Sequence, residues 1–434
     1  MWVEKYHFMK KSDPRYNQYI SILNEELVPA MGCTEPICLA YAAAKSRDIL
    51  GELPDKVEIL ASGNIIKNVK SVIVPNTNRM KGIKASVAVG IVAGNAEKVL
   101  EVISEVTDKQ KEEVLLFLKN TPITVKHIDC QEQLDVTIIV YKGEHKALVR
   151  ISGFHTNIVL MKKDDTVLYE CATISKPDKK LTDRSILSIE GIIDFADSVD
   201  IEDVKSSLDN QIKCNKAISE EGLRNEWGAN IGSILLKMYG DDIKIRAKAW
   251  AAAGSDARMN GCELPVIINS GSGNQGLTAS LPVLAYAEEY NIDKERMYRA
   301  LVVSNLTAIH QKTRIGRLSA YCGAVSAGCA SACGIAYLLG EDFNIISQTL
   351  SNSVAIVSGI ICDGAKSSCA AKIAAAVDAG LTGYYMSKNN KCFEPGDGIV
   401  GNDIEDTIKN VGMLGSIGMR ETDKEIIEIM TKNG

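Results

Sequence analysis

Two kinds of hydrophobic pattern divide the chain. Between residues 55 and 161, β-branched residues alternate with polar ones in short runs, which predicts strands at 57–61, 71–75, 136–141, 147–151 and 158–161. Apolar residues recur at helical spacing between these runs, at 83–92, 98–106 and 109–119. This part of the chain is therefore predicted to be a mixed sheet covered by helices.

The second half of the chain has helical periodicity almost throughout. The predicted helices are 185–195, 201–215, 217–239, 243–256, 277–290, 293–310 and 364–385, with two uncharged helices between 318 and 362. Two more, at 16–27 and 37–50, precede the strands. The expected fold class is α+β, with an N-terminal mixed α/β sheet domain and a mostly α-helical C-terminal domain. The predicted domains are 1–54, packing on the helical domain, 55–213 and 214–434.

Two consecutive segments without a charged residue, 318–340 and 343–362, are each long enough to span a bilayer. They are rich in Ser, Gly, Ala and Cys rather than in Leu and Ile, and no aromatic belt flanks both ends. We interpret them as a buried helical hairpin, with a membrane small-molecule transporter as the alternative.

Composition narrows the classes of function. The 434 residues carry a net charge of −6 with both signs interspersed, and no basic block is present to follow a phosphate backbone, so we expect no nucleic-acid partner. Twelve cysteines are too few for a disulfide scaffold at this length, and the first residues lack the apolar run of a secretory signal. These features predict a cytoplasmic protein with free thiols.

Three cysteines lie in small-residue surroundings typical of a site. They are Cys33 in Gly-Cys-Thr-Glu-Pro, Cys322 in Tyr-Cys-Gly-Ala-Val and Cys362 in Ile-Cys-Asp-Gly-Ala-Lys. Cys33 and Cys362 are each predicted just before a helix N-terminus, which lowers the pKa of a thiol and favours the metal-binding thiolate. The grouping indicates an iron–sulfur cluster on three thiolates. The alternative is that each is a small buried core residue, since no Cys-x-x-Cys pair marks a metal site.

Two polar loops are candidates for binding an anionic group of a substrate. The loop 270–276, Ser-Gly-Ser-Gly-Asn-Gln-Gly, opens a predicted helix and offers N–H groups, hydroxyls and amides to a carboxylate or a single phosphate. The loop 61–67 follows a predicted strand. An ordinary turn is the alternative for both. The candidate substrate-binding residues are Ser62, Asn64, Ser270, Ser272, Gly273, Asn274 and Gln275.

The candidates for a catalytic base are Lys312, Lys366 and His310, in that order. His310 and Lys312 alternate with Arg314 just before the uncharged helix of Cys322, and Lys366 follows Cys362 by one helical turn. A lysine that is desolvated beside other cations titrates near neutrality, which favours the lysines as bases. A solvated basic surface is the alternative.

Five motifs follow one another along nearly the whole chain: Met-Gly-Cys-Thr-Glu-Pro at 31–36, Ser-Gly-Asn at 62–64, Gly-Ser-Gly-Asn-Gln-Gly at 271–276, Ile-Gly-Arg-Leu-Ser-Ala-Tyr-Cys-Gly at 315–323 and Cys-Asp-Gly-Ala-Lys at 362–366. Together they resemble the iron–sulfur L-cysteine desulfidase family, which is related in its helical part to the iron–sulfur L-serine dehydratases. The resemblance implies a [4Fe-4S] cluster on Cys33, Cys322 and Cys362, carried by the helical domain, with Cys369 as a reserve ligand.

The resemblance also implies a reaction. An open iron would act as a Lewis acid on the thiolate of L-cysteine while a base removes the α-proton, and β-elimination would yield pyruvate, ammonia and hydrogen sulfide without redox change or pyridoxal phosphate. An iron–sulfur L-serine dehydratase is the alternative, and a pyridoxal-phosphate lyase is a further one. The expected partner is this small-molecule substrate, with no membrane and with a homodimer as the candidate assembly.

Overall fold

The computed structural model describes residues 9–130, 132, 134–171, 181–316 and 319–432. The helices are α1 (Pro14–Glu26), α2 (Thr34–Leu50), α3 (Gly63–Val69), α4 (Gly82–Ala93), α5 (Asp108–Asn120), α6 (Ile189–Ser198), α7 (Ile201–Arg224), α8 (Ile231–Tyr239), α9 (Ile243–Met259), α10 (Gly273–Glu289), α11 (Lys294–Ile315), α12 (Gly323–Leu338), α13 (Phe343–Val357), α14 (Cys369–Lys388), α15 (Ile404–Met413) and α16 (Arg420–Lys432). The strands are β1 (Pro29–Met31), β2 (Lys56–Ser62), β3 (Ile123–Ile128), β4 (Asp135–Lys142), β5 (His145–Ser152), β6 (Ile158–Lys163), β7 (Thr166–Glu170) and β8 (Pro265–Ile267).

Six strands form one mixed sheet in the order β3-β2-β4-β5-β6-β7. Strand β2 runs parallel to β3, with Val57 opposite Ile123, and the other neighbours are antiparallel. Alternate side chains of β2, at Val57, Ile59 and Ala61, are fully buried, and helix α2 packs across β4 and β5. The alternating pattern thus predicted β2, β4, β5 and β6, but not the half-polar strand β3 or the exposed strand β7.

The chain has two large hydrophobic cores, one on the sheet and a second one formed by helices. Helix α12 packs against α10, α11, α13 and α14, and its residues from Ala324 to Leu338 are all buried. The sheet near the N-terminus and the helices that follow it confirm the predicted α+β class. Within the described part of the chain, no helix combines the length and the apolar character needed to cross a membrane.

Some segments join a different core from the one that the sequence predicts. Helix α2, predicted to pack on the helical domain, belongs to the core of the sheet, where Ile37 and Leu39 are buried. Helices α6 and α7, predicted within the sheet domain, belong to the helical core, where Phe195 and Leu208 are buried with Tyr19 of α1. The periodicity of a helix shows that one face is apolar, but it does not identify the surface which that face contacts.

Three predicted elements differ locally. Residues 71–75 form only an isolated bridge, between Ile73 and Lys81, in place of a strand. Residues 98–106 contain a short 3-10 turn instead of an α-helix. The helix predicted over 217–239 is divided into α7 and α8, because Gly228 and Asn230 have positive φ angles of 58° and 52° that an α-helix excludes.

Asp256 is a carboxyl group inside the helical core. It lies in α9 and is fully buried, and its Oδ2 accepts a hydrogen bond from the backbone N–H of Gly232 at 3.1 Å. Its Oδ1 has no hydrogen-bond partner. Burial raises the pKa of Asp256 to about 7, and the backbone hydrogen bonds offset only part of this effect.

We expect Asp256→Asn to remove a pH-dependent loss of stability. The carboxyl ionises near pH 4 in the unfolded chain but near pH 7 in the folded one, so raising the pH between these values favours unfolding. The free energy of unfolding of the wild type should fall by about 3 kcal/mol more than that of Asp256→Asn between pH 5 and pH 8. Urea titrations at several pH values measure this difference. The exposed Asp165→Asn is the control, and a variant curve parallel to the wild type would show that Asp256 is ionised in the fold.

Candidate active site

A two-stranded ribbon brings Cys33 to the polar loop. Strand β1 pairs antiparallel with β8, with Ala30 opposite Val266. After β1 the chain reaches Cys33, the N-cap residue of α2, and after β8 it enters the loop that opens α10. The Thr34 hydroxyl donates to the carbonyl oxygen of Gly271 at 3.0 Å and so joins the two segments directly.

A short antiparallel bridge pairs the segments of Cys322 and Cys362. Tyr321 lies opposite Ile361, the N–H of Cys322 donates to Ile360 at 3.2 Å, and the N–H of Cys362 donates to Ala320 at 2.6 Å. Because side chains alternate along an extended chain, Cys322 and Cys362 share one side of this bridge. Residues 317 and 318 of the same motif lie outside the described residues.

The prediction of a helix start directly after Cys362 is wrong. Helix α14 begins only at Cys369, and Gly364 has a φ of +93°. A Cβ atom at Gly364 would lie 2.2 Å from the carbonyl oxygen of Lys67, so only glycine allows the turn to approach α3 this closely. Helix N-termini instead follow Cys33 and Cys322.

These elements enclose a cavity of about 100 Å³. All four candidate ligands, Cys33, Cys322, Cys362 and Cys369, line it. Cys33 and Cys369 contact the core of the sheet, whereas Cys322 and Cys362 contact the helical core, so the cavity lies between the two. The other predicted site residues that line it are Ser270, Ser272, Asn274, Gln275 and Lys312.

The remaining candidates lie elsewhere. Ser62 and Asn64 line a neighbouring cleft of about 1400 Å³ beside α16, which shares Ser319 with this cavity, and the Asn64 amide donates to Asp423 at 2.8 Å. His310 Nε2 lies 2.7 Å from a carboxylate oxygen of Glu405. Lys366 donates to the carbonyl oxygens of Asp363 and Gly364 at 2.8 and 3.1 Å. Gly273 opens α10 beside the cavity, against Arg258.

Burial raises the pKa of three of the four thiols, those of Cys33, Cys322 and Cys369. Burial raises the pKa of Cys33 well above its ordinary value, and the Glu35 carboxylate raises it further, whereas Arg258 acts in the opposite direction. Burial also raises the pKa of Cys322 to about 12, with Cys362 and Cys369 adding to the effect. The lowering expected from a helix N-terminus is thus outweighed by desolvation.

The donor set fits an iron–sulfur cluster. Thiolates are the ligands of such clusters, and the four thiols here line one cavity. Within the described ranges, no three His, Cys, Asp or Glu side chains are close enough together to hold one metal ion. Each thiolate of a cluster binds a different iron, so its ligands stand further apart than those of a single ion.

The cavity also contains a carboxylate and an imidazole that the sequence analysis missed. Glu35 Oε2 accepts hydrogen bonds from the Cys33 thiol at 2.9 Å and the Thr34 hydroxyl at 3.2 Å. Its Oε1 lies 3.8 Å from His155 Nε2, a buried atom without a hydrogen-bond partner. Burial pushes the pKa of Glu35 upward, but interactions with His155 in its protonated form and the hydrogen bond from Cys33 outweigh it and bring the pKa to about 2.

Five further polar side chains line the cavity and are not among the site residues predicted from the sequence: Thr34, Asn68, Arg258, Ser319 and Tyr321. Glu35 stands within the motif at 31–36, beside the candidate ligand Cys33, and this position is the signal that could have identified it. His155 is one of five histidines in the chain. It lies in a loop after a strand, and this position is the one sequence signal that could have marked it as a site residue. Arg258 lies in an alanine-rich helix, where nothing in the local pattern sets it apart.

A cavity lined by four thiols, a buried imidazole and the loop that opens a helix fits an iron–sulfur enzyme for a small substrate. Residues 97–428 match the family model described as serine dehydratase alpha chain. The chain therefore belongs to the serine dehydratase alpha chain family and is an iron–sulfur dehydratase-like enzyme of the lyase type. The prediction of an iron–sulfur lyase is confirmed as a class of enzyme, without its substrate or its type of cluster.

Similar chains occur in several bacteria under the name UPF0597 protein. The protein of Desulfitobacterium hafniense is 56% identical over 423 residues, which cover 98% of each chain. That of Lachnoclostridium phytofermentans is 52% identical over 415 residues, covering 96% of this chain and 99% of the relative. That of Bacteroides thetaiotaomicron is 37% identical over 425 residues, covering 96% and 98%.

We expect Cys33→Ser, Cys322→Ser and Cys362→Ser each to lower the iron and sulfide content after anaerobic reconstitution, because a cluster that loses one of three thiolates is poorly held. Iron and acid-labile sulfide analysis measures the loss independently of activity. The exposed Cys392→Ser is the control and should keep the wild-type content. Full iron in Cys33→Ser together with loss in Cys369→Ser would instead make Cys369 the third ligand.

Proposed function

We propose that the enzyme is an L-cysteine desulfidase with a [4Fe-4S] cluster on Cys33, Cys322 and Cys362. The proposal rests on one observation, the placement of these thiols from distant parts of the chain around a single cavity that the loop opening α10 also lines. When bound, a cluster held by three thiolates supplies a Lewis-acidic iron that makes the β-substituent of the substrate a better leaving group.

The wall formed by α10 is suited to the carboxylate of an amino acid. The backbone N–H groups at the start of α10 are an anion-binding feature, and the hydroxyls of Ser270 and Ser272 lie beside them on the same cavity. Lys312 adds a buried positive charge to the lining, with 4% of its surface exposed. This wall would orient the substrate with its α-carbon toward the interior of the cavity.

We assign the removal of the α-proton to His155. Its Nε2 has no hydrogen-bond partner, and it lines the cavity together with the candidate cluster ligands. Glu35, 3.8 Å away, would stabilise the imidazolium that forms when His155 takes a proton. Of the bases predicted from sequence, Lys312 alone lines the cavity. We assign it to attracting the carboxylate of the substrate instead of removing the α-proton.

The leaving group separates the proposal from its nearest alternative. An L-serine dehydratase would use the same site, and the description of the matching family favours it. The motifs around the three cysteines favour the desulfidase, in which a soft thiolate is the natural partner of iron in a sulfur-rich site. The homodimer, the absence of nucleic-acid and membrane partners, and the cytoplasmic location remain predictions.

Product analysis tests the function. Reconstituted enzyme, incubated anaerobically with L-cysteine, should release sulfide, ammonia and pyruvate in equal amounts without added pyridoxal phosphate or an electron donor. Turnover of L-serine should be slower by orders of magnitude, because hydroxide is the poorer leaving group and the harder ligand. Pyruvate formed from L-serine at a comparable rate, or no sulfide from L-cysteine, would replace the proposal with the dehydratase.

We expect His155→Gln to lower kcat for L-cysteine by about 10²–10⁴-fold, the usual contribution of a positioned base, with a small change in KM and unchanged iron content. Steady-state kinetics and iron analysis of the same preparation measure all three quantities. The exposed His145→Gln is the matched control. A variant Lys312→Gln that loses kcat while His155→Gln keeps it would transfer the role of base to Lys312.

A further inference from the structure

Arg258 is a buried cation without an anionic partner among the residues that the structure describes. Only 2% of its surface is exposed, although it lines the cavity. Its one hydrogen bond runs from Nη1 to the side-chain oxygen of Asn274 at 3.1 Å, and its Nε has no partner. Holding a guanidinium away from both water and an anion is energetically costly, so the unpaired edge points to a ligand.

The guanidinium lies against the first turn of α10. A Cβ atom at Gly273 would come within 2.3 Å of Arg258 Nε and 2.7 Å of its Cζ, so the absence of a side chain at Gly273 makes room for the arginine. Arg258 thus adds a full charge to the partial positive charge of the helix N-terminus. Both face the same small cavity as Lys312.

We propose that Arg258 binds the α-carboxylate of the substrate through two parallel N–H···O bonds and so restricts the site to amino acids with a free carboxylate. A planar guanidinium matches a carboxylate in this geometry, which the ammonium group of Lys312 does not. The inference rests on the proposed function for the identity of the substrate, but it concerns only the carboxylate end. Replacing Arg258 would remove two hydrogen bonds between charged groups, so we expect a large loss of substrate binding.

The test uses Arg258→Met, Arg258→Lys and a control on the same helix, Arg246→Met, whose arginine instead pairs with Asp241 and Glu289 near the surface. The KM for L-cysteine should rise about 100-fold in Arg258→Met and less in Arg258→Lys. The low activity with L-cysteine methyl ester, which lacks the anion, should stay the same. Gly273→Ala should raise the KM as well, because it displaces the guanidinium.

A binding measurement separates this inference from the proposed function. L-alanine carries the carboxylate but no leaving group, so it should raise the Tm of the wild type and of Arg246→Met but not that of Arg258→Met. Without ligand, Arg258→Met should melt at or above the wild-type temperature, since an unpaired buried charge is removed. Stabilisation of Arg258→Met by L-alanine, equal to that of the wild type, would overturn the role of Arg258. A wild type that binds L-alanine but releases no sulfide would overturn the desulfidase alone.

Discussion

The burial of several thiols in one cavity between two hydrophobic cores is the constraint on which the rest of this structure depends. Two of the cysteines contact the core of the sheet and two contact the helical core, so the site exists only when the cores are docked. The β1–β8 ribbon and the bridge at Tyr321 and Ile361 are backbone pairings on the helical core, and the ribbon leads directly into Cys33 and α2 of the sheet core. Backbone pairing sets the positions of the cysteines without adding polar side chains to the cavity.

The same cavity collects polar groups that the fold leaves unsatisfied. Arg258 Nε, His155 Nε2 and the side-chain oxygen of Gln275 are buried, lack hydrogen-bond partners and line it together. Such groups lower the stability of the empty protein, and a ligand that pairs with them recovers the loss on binding. Arg258 and Lys312 thus line the cavity on the side of α10, and the Glu35–His155 pair lines it as well, so the proposed removal of an α-proton has a cation for the carboxylate and an imidazole for the proton.

Local sequence signals predicted some of the secondary structure around the candidate site. A helix begins directly after Cys33 as predicted, and the loop at Ser270 does open a helix, because helix starts and glycine-rich turns are encoded within a few residues. The sequence predicts a helix directly after Cys362, but the chain forms a turn there, because contact with the carbonyl oxygen of Lys67 nearly 300 residues earlier imposes its geometry. Ser62 and Asn64 have the composition of a ligand loop, yet packing against α16 places them on a different cleft.

The sequence by itself determined the α+β class, most of the helices and four of the sheet strands, and the cysteines that share the cavity, because periodicity and short motifs are local properties. Only the tertiary structure decided which core receives α2, that Cys369 lines the same cavity as the three predicted ligands, and that His155 and Arg258 face them. An isolated histidine or arginine carries no pattern of its own. Its role depends on the atoms that surround it, and the packing of distant elements decides which atoms these are. That packing is a property of the folded chain alone.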